Sequence, residues 1–365
     1  MQIKRPTLLL NLAKAEANLD TLIKKAQRTQ TELIPHFKTH QSKEIGELFR
    51  ARGIDKITVS SVKMASYFAA NGWNDITIAF PFNILEVEEV NRMVKEGCTI
   101  TLLVTEIETV QLLADRLAYP VQVLIEIDAG YGRSGIQSQA LDQIQDLLDA
   151  IEGCALVNLY GLYCHPGNTY QAKGIEEIRQ IWSLVIKRMN FVKNKLVTES
   201  DIKIRIGDTP GCTVVEAMNG VDEIGPGNFI FYDLVMNYLN VCAESQIAVA
   251  VACPVVAKKE GNRLIIHGGA VHFSKDHLVD ADQKKFYGEM VILEEKGWSQ
   301  IIPDAKLVSI SQEHGVLEVD AVTFETIRVG DVVGILPIHS CLTANLMKSY
   351  HTLDGRLFEH LEKIC

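Results

Sequence analysis

From about residue 30 to residue 225 the chain repeats one pattern eight times, a short run of apolar or β-branched residues followed by a longer segment that punctuates it. The short runs read as strands: Glu32–Pro35, Lys56–Ser60, Asp75–Ala79, Thr99–Val104, Val121–Ile127, Ala155–Tyr163, Ile202–Ile206 and Asp222–Ile224. Between them, segments such as Ile84–Glu96, Glu106–Leu117 and Gln139–Ile151 place apolar residues at helical spacing with charges on the other faces. Eight strand–helix units predict an α/β fold closed as a (β/α)8 barrel. An open doubly wound sheet is the competing arrangement, but it usually has fewer strands, and no G-x-G-x-x-G turn follows the first strand here.

After about Ile247 the texture changes to extended runs, Gln246–Ala257, Arg263–His267, Glu289–Leu293, Lys306–Ser311, Val316–Val319 and Asp331–Leu336. We expect a barrel domain over residues 11–240 and a β-rich domain over 241–365, the latter joined by residues 1–10 with their apolar run Thr7–Leu10. At 365 residues and 47% hydrophobic, the chain has the apolar material for two cores. A formal charge of -10 without a basic cluster argues against nucleic acid, whose binding rests on cationic side chains. The eight cysteines include no CxxC pair and read as reduced thiols. Met1–Leu10 lacks a signal core and no run of eighteen apolar residues occurs, so the expectation is a cytoplasmic protein with no membrane partner.

In a barrel of this kind, chemistry gathers where the strands end. Strand one runs into Pro35-His36-Phe37-Lys38-Thr39-His40, strand five into Asp128-Ala129-Gly130-Tyr131-Gly132-Arg133, and strand six into Tyr163-Cys164-His165-Pro166-Gly167-Asn168. Strands seven and eight lead into Gly207-Asp208-Thr209-Pro210-Gly211 and Gly225-Pro226-Gly227-Asn228. These are the two positions where barrels most often bind phosphate, and glycine turns expose backbone N–H groups that suit an anion. Lys38 follows a strand end among His36, Thr39 and His40. A partly dry position there would make its amine a nucleophile toward an aldehyde. A nucleophilic amine together with a phosphate site fits pyridoxal phosphate.

The segments Pro35–His40, Gly207–Pro210 and Gly225-Pro226-Gly227-Asn228-Phe229-Ile230-Phe231-Tyr232-Asp233 resemble the D-threonine aldolase and eukaryotic-type D-serine dehydratase family, within the alanine racemase-like, fold type III pyridoxal-phosphate enzymes. Glu313-His314-Gly315 and Pro337-Ile338-His339-Ser340-Cys341 are similar to that family's C-terminal domain. The resemblance implies that Lys38 carries the cofactor, and that Gly207, Asp208, Thr209, Gly225, Gly227 and Asn228 hold its phosphate. It further implies that Arg133, His165, Tyr170 and Tyr232 surround the ring, with Lys38, His165 and Tyr170 catalytic. One departure is Asn168, where relatives commonly have histidine.

His339 and Cys341 are separated by one residue, which in extended chain turns both side chains to one side. Imidazole plus thiolate is a donor set for zinc, and the same pair also reads as a bonded histidine beside a buried cysteine. The resemblance favours the metal, and the cysteine resembles the dehydratase branch, where aspartate would suit a harder ion. His314 reads as a turn residue ahead of metal neighbour or base, and His272 and Asp276 carry no decisive spacing. The implied function is a metal-assisted lyase of D-configured β-hydroxy amino acids, working by dehydration or by aldol cleavage. The alternatives are an amino-acid racemase of the alanine racemase type and a non-catalytic carrier of the cofactor. The implied partners are a small D-amino acid and a second copy of the chain.

Overall fold

The computed structural model describes residues 2–196 and 202–361; Met1 and Cys365 lie outside them. The chain divides into two compact units, one made of Thr21–Lys38 and Gly46–Gly227, the other of residues 2–20, Thr39–Ile45 and residues 228–361.

The first unit is the barrel. Its eight strands are Glu32–Leu33, Lys56–Val59, Asp75–Pro81, Thr99–Val104, Val121–Asp128, Val157–Cys164, Lys203–Ile206 and Glu223–Ile224, each within a few residues of the predicted run. They pair in parallel in the order one, eight, seven, six, five, four, three, two. A parallel bridge between His36 and Thr58 joins the two ends of that order. Phe37 N–H donates to Thr58 O at 2.8 Å and Thr58 N–H to Pro35 O at 2.9 Å, so the ring is closed.

The helices form where the sequence places an apolar stripe. Ile175–Leu196 buries Ile178, Trp182, Val185, Met189 and Val192, spaced three and four apart. Ser61 begins Val62–Ala69 by accepting from Met64 N–H. Where a single helix is expected over Ile84–Glu96, Asn83 caps a tight 3-10 turn, Ile84–Glu86, and the α-helix runs Val87–Lys95.

The barrel interior carries an ion pair. Arg205 on strand seven donates to Glu223 on strand eight at 2.6 Å and to Thr77 on strand three at 2.6 Å, and the Tyr160 hydroxyl also bonds Glu223. Strands three and seven lie on opposite sides of the ring, so this network spans the interior. Both charges are buried, at 2% and 1% exposure, so each depends on the other for solvation.

The second unit is a β structure. Val249–Lys259, Arg263–His267, His314–Glu318, Lys306–Ile310, Gly288–Val291 and Val332–Pro337 form an antiparallel ring, because Val249–Lys259 pairs both with Val332–Pro337 and with Arg263–His267. Thr7–Leu10 extends it by pairing antiparallel with Val249–Lys259, Thr7 opposite Ala252, and in parallel with Ser349–Thr352. Residues 249–253 are buried without alternation, as expected for strand covered on both faces.

No described helix is long and apolar enough to cross a membrane. None of the seven described cysteines forms a disulfide.

Candidate active site

Lys38 is placed by its neighbour. Phe37 is fully buried, with its ring 4.9 Å from Phe49 and 5.0 Å from both Phe68 and Trp73, which anchors the chain as it leaves strand one. Lys38 then projects outward and is exposed, in contrast to the partly dry setting expected of it. His36 and His40 on either side of it are buried, so the burial falls on the flanking imidazoles and not on the lysine.

The loop after strand five is shaped by Asp128. Its carboxylate accepts from Gly130 and Tyr131 N–H at 2.8 Å and from Gly132 N–H at 3.1 Å, in a bend where Gly130 and Gly132 have φ of +118° and +77°. Arg133 emerges from this bend with its guanidinium 5.6 Å from the Tyr131 ring. Glu126 lies 3.9 Å from Arg133 and accepts from the Ser134 hydroxyl at 2.9 Å, while its second oxygen is buried without a partner. Burial pushes the Glu126 carboxyl above its usual range. Sequence reasoning missed Glu126, although an acidic residue inside the apolar run Val121–Asp128 is a visible signal.

His165 follows strand six. Its ring meets Tyr131 edge-on at 5.9 Å and lies 6.2 Å from Tyr170. His165 Nδ1 bonds the Gly207 carbonyl, which can only accept, so the ring proton sits on Nδ1 and the Nε2 lone pair is left available. Burial, with the positive charges of Arg133 and Lys38 against it, holds this imidazole down to about 4 and keeps it neutral. Glycine at 167 lets the Tyr131 ring lie this close, because a Cβ would stand 2.3 Å from it and force the ring to move.

The two glycine turns lie against each other. A Cβ on Gly207 would stand 2.9 Å from Tyr163 Oη and 3.2 Å from Gly225 O, and one on Gly225 would stand 3.8 Å from Gly207 Cα. Thr209 donates its N–H to Tyr170 Oη at 3.1 Å, and its own hydroxyl is buried without a partner. Asp208 has a different place. One oxygen accepts from Trp182 Nε1 at 2.8 Å and the other from Thr169 Oγ1 at 2.8 Å and Gly211 N–H at 2.7 Å. Burial raises it to about 6. With both oxygens occupied, Asp208 holds the turn in shape. The barrel unit thus brings together Lys38, Arg133, His165, Tyr170, Gly207, Thr209 and Gly225, and ends at Gly227.

Asn228 and Tyr232 belong to the second unit. Asn228 Nδ2 donates to Asp233 at 2.6 Å and Ser340 Oγ at 3.0 Å and lies 3.6 Å from Cys341 Sγ, while its Oδ1 has no partner. Tyr232 is buried with φ of +49°. Cys341 Sγ is also 3.2 Å from the Thr39 hydroxyl, and Thr39 is the next residue in the chain after Lys38.

The expected extended geometry of His339 and Cys341 is not what forms. His339 is the cap residue of helix Ser340–Met347 and Cys341 lies in its first turn. The turn still brings thiol and imidazole into hydrogen-bond contact. His339 Nδ1 bonds Asp276 at 2.8 Å. Burial would lower this imidazole, but Asp276 and Cys341 raise it to about 11. A thiol and an imidazole sharing a proton, with a carboxylate on the far ring nitrogen, is the chemistry of a metal donor pair and its outer partner.

A further group, His267, His272 and Glu313, has ligand atoms all within 4.8 Å of one another. Sequence reasoning had not joined them, since only strand pairing brings residue 267 opposite residue 314. His314 itself is exposed at the start of its strand.

Comparison with known proteins bears on the family and the fold. Residues 10–233 match the family described as alanine racemase, N-terminal domain, and residues 248–353 match a serine dehydratase domain. The chain is 25% identical to D-threo-3-hydroxyaspartate dehydratase of Delftia over 97% of this chain and 96% of that one. It is 26% identical to D-serine dehydratase of Dictyostelium discoideum over 88% and 86%. With D-threonine aldolase of Arthrobacter it shares 25% identity over 94% and 88%. The solved Delftia structure superimposes with a TM-score of 0.90, at 24% identity, over 100% of this chain and 99% of that one.

Proposed function

The chain belongs to the alanine racemase N-terminal domain family, and we propose that it is a pyridoxal-phosphate-dependent lyase that dehydrates D-configured β-hydroxy amino acids. The observation that carries this reading is the barrel rim, where an exposed lysine shares one unit with two touching glycine turns and a buried Thr209 hydroxyl that lacks a partner. A dianionic phosphate would satisfy that hydroxyl.

Lys38 would hold the cofactor covalently, Gly207, Thr209, Gly225 and Gly227 its phosphate, and His165 and Tyr170 its ring. Asn228 and Tyr232 are carried over from the resemblance, and Asp208 supports the phosphate turn. When bound, the cofactor supplies a sink for the electron pair left at Cα as a bond there breaks. Lys38 Nζ is the group we assign to take the Cα proton. Neutral His165 adds no positive charge beside the ring, and its Nδ1–H bond to Gly207 ties it to the phosphate turn. Tyr170 is oriented by the Thr209 amide. Arg133 offers a cation for an anionic oxygen.

His339 and Cys341 would hold a divalent ion, zinc by the softness of the thiolate, with Asp276 fixing the imidazole. Such an ion would act as a Lewis acid on the departing β-hydroxyl. Breaking Cα–H and Cβ–O releases water, and hydrolysis of the resulting enamine gives a 2-oxo acid and ammonia. The relatives named dehydratases and the cysteine at position 341 favour this outcome over aldol cleavage.

The test is a panel of D-serine, D-threonine and D-threo-3-hydroxyaspartate with the cofactor-loaded enzyme. Ammonia and a 2-oxo acid are expected. Glycine plus aldehyde would instead make the enzyme an aldolase, and racemisation untouched by chelator would return it to the racemase class. The same reading has the enzyme act as a cytoplasmic homodimer, which light scattering of the purified protein tests for its size.

A further inference from the structure

His267 ends strand Arg263–His267, His272 lies in the short helix Ala270–Phe273, and Glu313 sits in the turn between strands Lys306–Ile310 and His314–Glu318. Glu313 Oε2 is 3.3 Å from His267 Nε2 and 3.8 Å from His272 Nε2. We propose that these three side chains form a binding site for a divalent metal ion, separate from the His339 and Cys341 pair.

A tetrahedral ion bound at ~2.1 Å sets its donors ~3.4 Å apart. Glu313 already stands near that separation from both rings, and His267 and Glu313, at 39% and 50% side-chain exposure, have room to rotate and close the set. The backbone beneath them is fixed. Gly268 N–H donates to Glu313 O at 2.8 Å, Ala270 N–H to Ser311 O at 2.7 Å, and Ser311 N–H to His314 O at 2.8 Å. Gly269 and Gly315 allow these segments to touch, since a Cβ at either would stand 2.4 Å from a backbone oxygen. Donors mounted on a locked backbone need little ordering when an ion arrives.

The donor chemistry agrees. Two imidazoles and one carboxylate suit a zinc-class ion, with a position left for water or a further ligand. One adjustment is required. His272 Nδ1 now accepts the Gly269 N–H at 3.1 Å. Coordination through Nε2 moves the ring proton to Nδ1, so that bond opens as the ion enters and the Gly269 amide reports on it. An ion here would also tie down the segment that leads to Asp276, the partner of His339.

The test is titration of Co2+ into the cofactor-loaded enzyme after chelator treatment, following absorption and counting bound ions by dialysis. The wild type should bind one more ion per chain than His267→Ala or Glu313→Gln. The missing ion should be one that adds d–d bands without a sulfur-to-cobalt charge-transfer band, since its donors include no thiolate. Cys341→Ala should retain that ion and lose any thiolate-to-cobalt charge-transfer band. The two sites are therefore read separately, and the present inference stands whether or not the charge-transfer band is found. Equal ion counts and equal spectra for wild type, His267→Ala and Glu313→Gln, all folded by circular dichroism, would overturn it. So would a Gly269 amide resonance that does not move on saturation with Zn2+.

Discussion

The barrel rim and the β unit solve the same problem, holding several reactive side chains at once, by opposite means. In the barrel, each group follows its own strand at a position set by local sequence: Lys38 after strand one, Arg133 after five, His165 after six, and the glycine turns after seven and eight. In the β unit, His339 meets Asp276, Cys341 meets Thr39, and His267 meets Glu313 across large separations in the chain. A periodic scaffold makes its site a matter of counting strands, whereas an antiparallel ring makes its site depend on register.

The sharpest way to break the comparison is at Lys38. Lys38→Ala should lower turnover by roughly a thousandfold or more while the cofactor-free protein keeps its melting curve, because an exposed side chain contributes little packing. A melt shifted as much as the activity would make it structural. Next is the barrel interior, where Glu223→Ala leaves the buried Arg205 guanidinium bonded to the Thr77 hydroxyl without its carboxylate and should cost about 3–5 kcal/mol in denaturant unfolding. The same loss from a surface pair such as Arg263–Glu318 should be under about 1 kcal/mol.

His165 gives a pH signature. Its folded pKa of about 4 lies below its unfolded value, so the unfolded chain takes up the proton first and stability falls as pH drops from about 6.5 to 4. The loss should be on the order of 3 kcal/mol, and His165→Gln should flatten that part of the stability profile. In the β unit, Asp276→Asn should weaken metal binding by about 10- to 100-fold by freeing the far nitrogen of His339, measured by competition with a chelator. A change of that size in a barrel residue's effect on metal affinity would erase the distinction drawn above.

What the sequence discloses follows the same division. The eight barrel strands are legible because each is a short apolar run bounded by turn residues and amphipathic helices, and pairing order then follows from closure. The exposure of Lys38 is not legible, since burial of His36 and His40 around it is a tertiary outcome. Asp208 shows another limit. Its place in a glycine turn suggests a ligand to phosphate, but Trp182 and Thr169, from other elements, take its oxygens. His339 and Cys341 are found as a pair by spacing, yet a helix start and not a strand brings them together. His267 and Glu313 gave no local signal at all, because only the pairing of two strands distant in the chain makes them neighbours.

The pairing of Thr7–Leu10 with Val249–Lys259 and Ser349–Thr352 bears on synthesis. Thr7–Leu10 leaves the ribosome long before either neighbour exists, while the barrel ring can close within its own stretch of chain. An apolar edge held open for that time is a template for wrong pairing. Growth in the cell therefore exposes the amino-terminal strand to aggregation, and slowing translation after the barrel should lower soluble yield more than slowing it before.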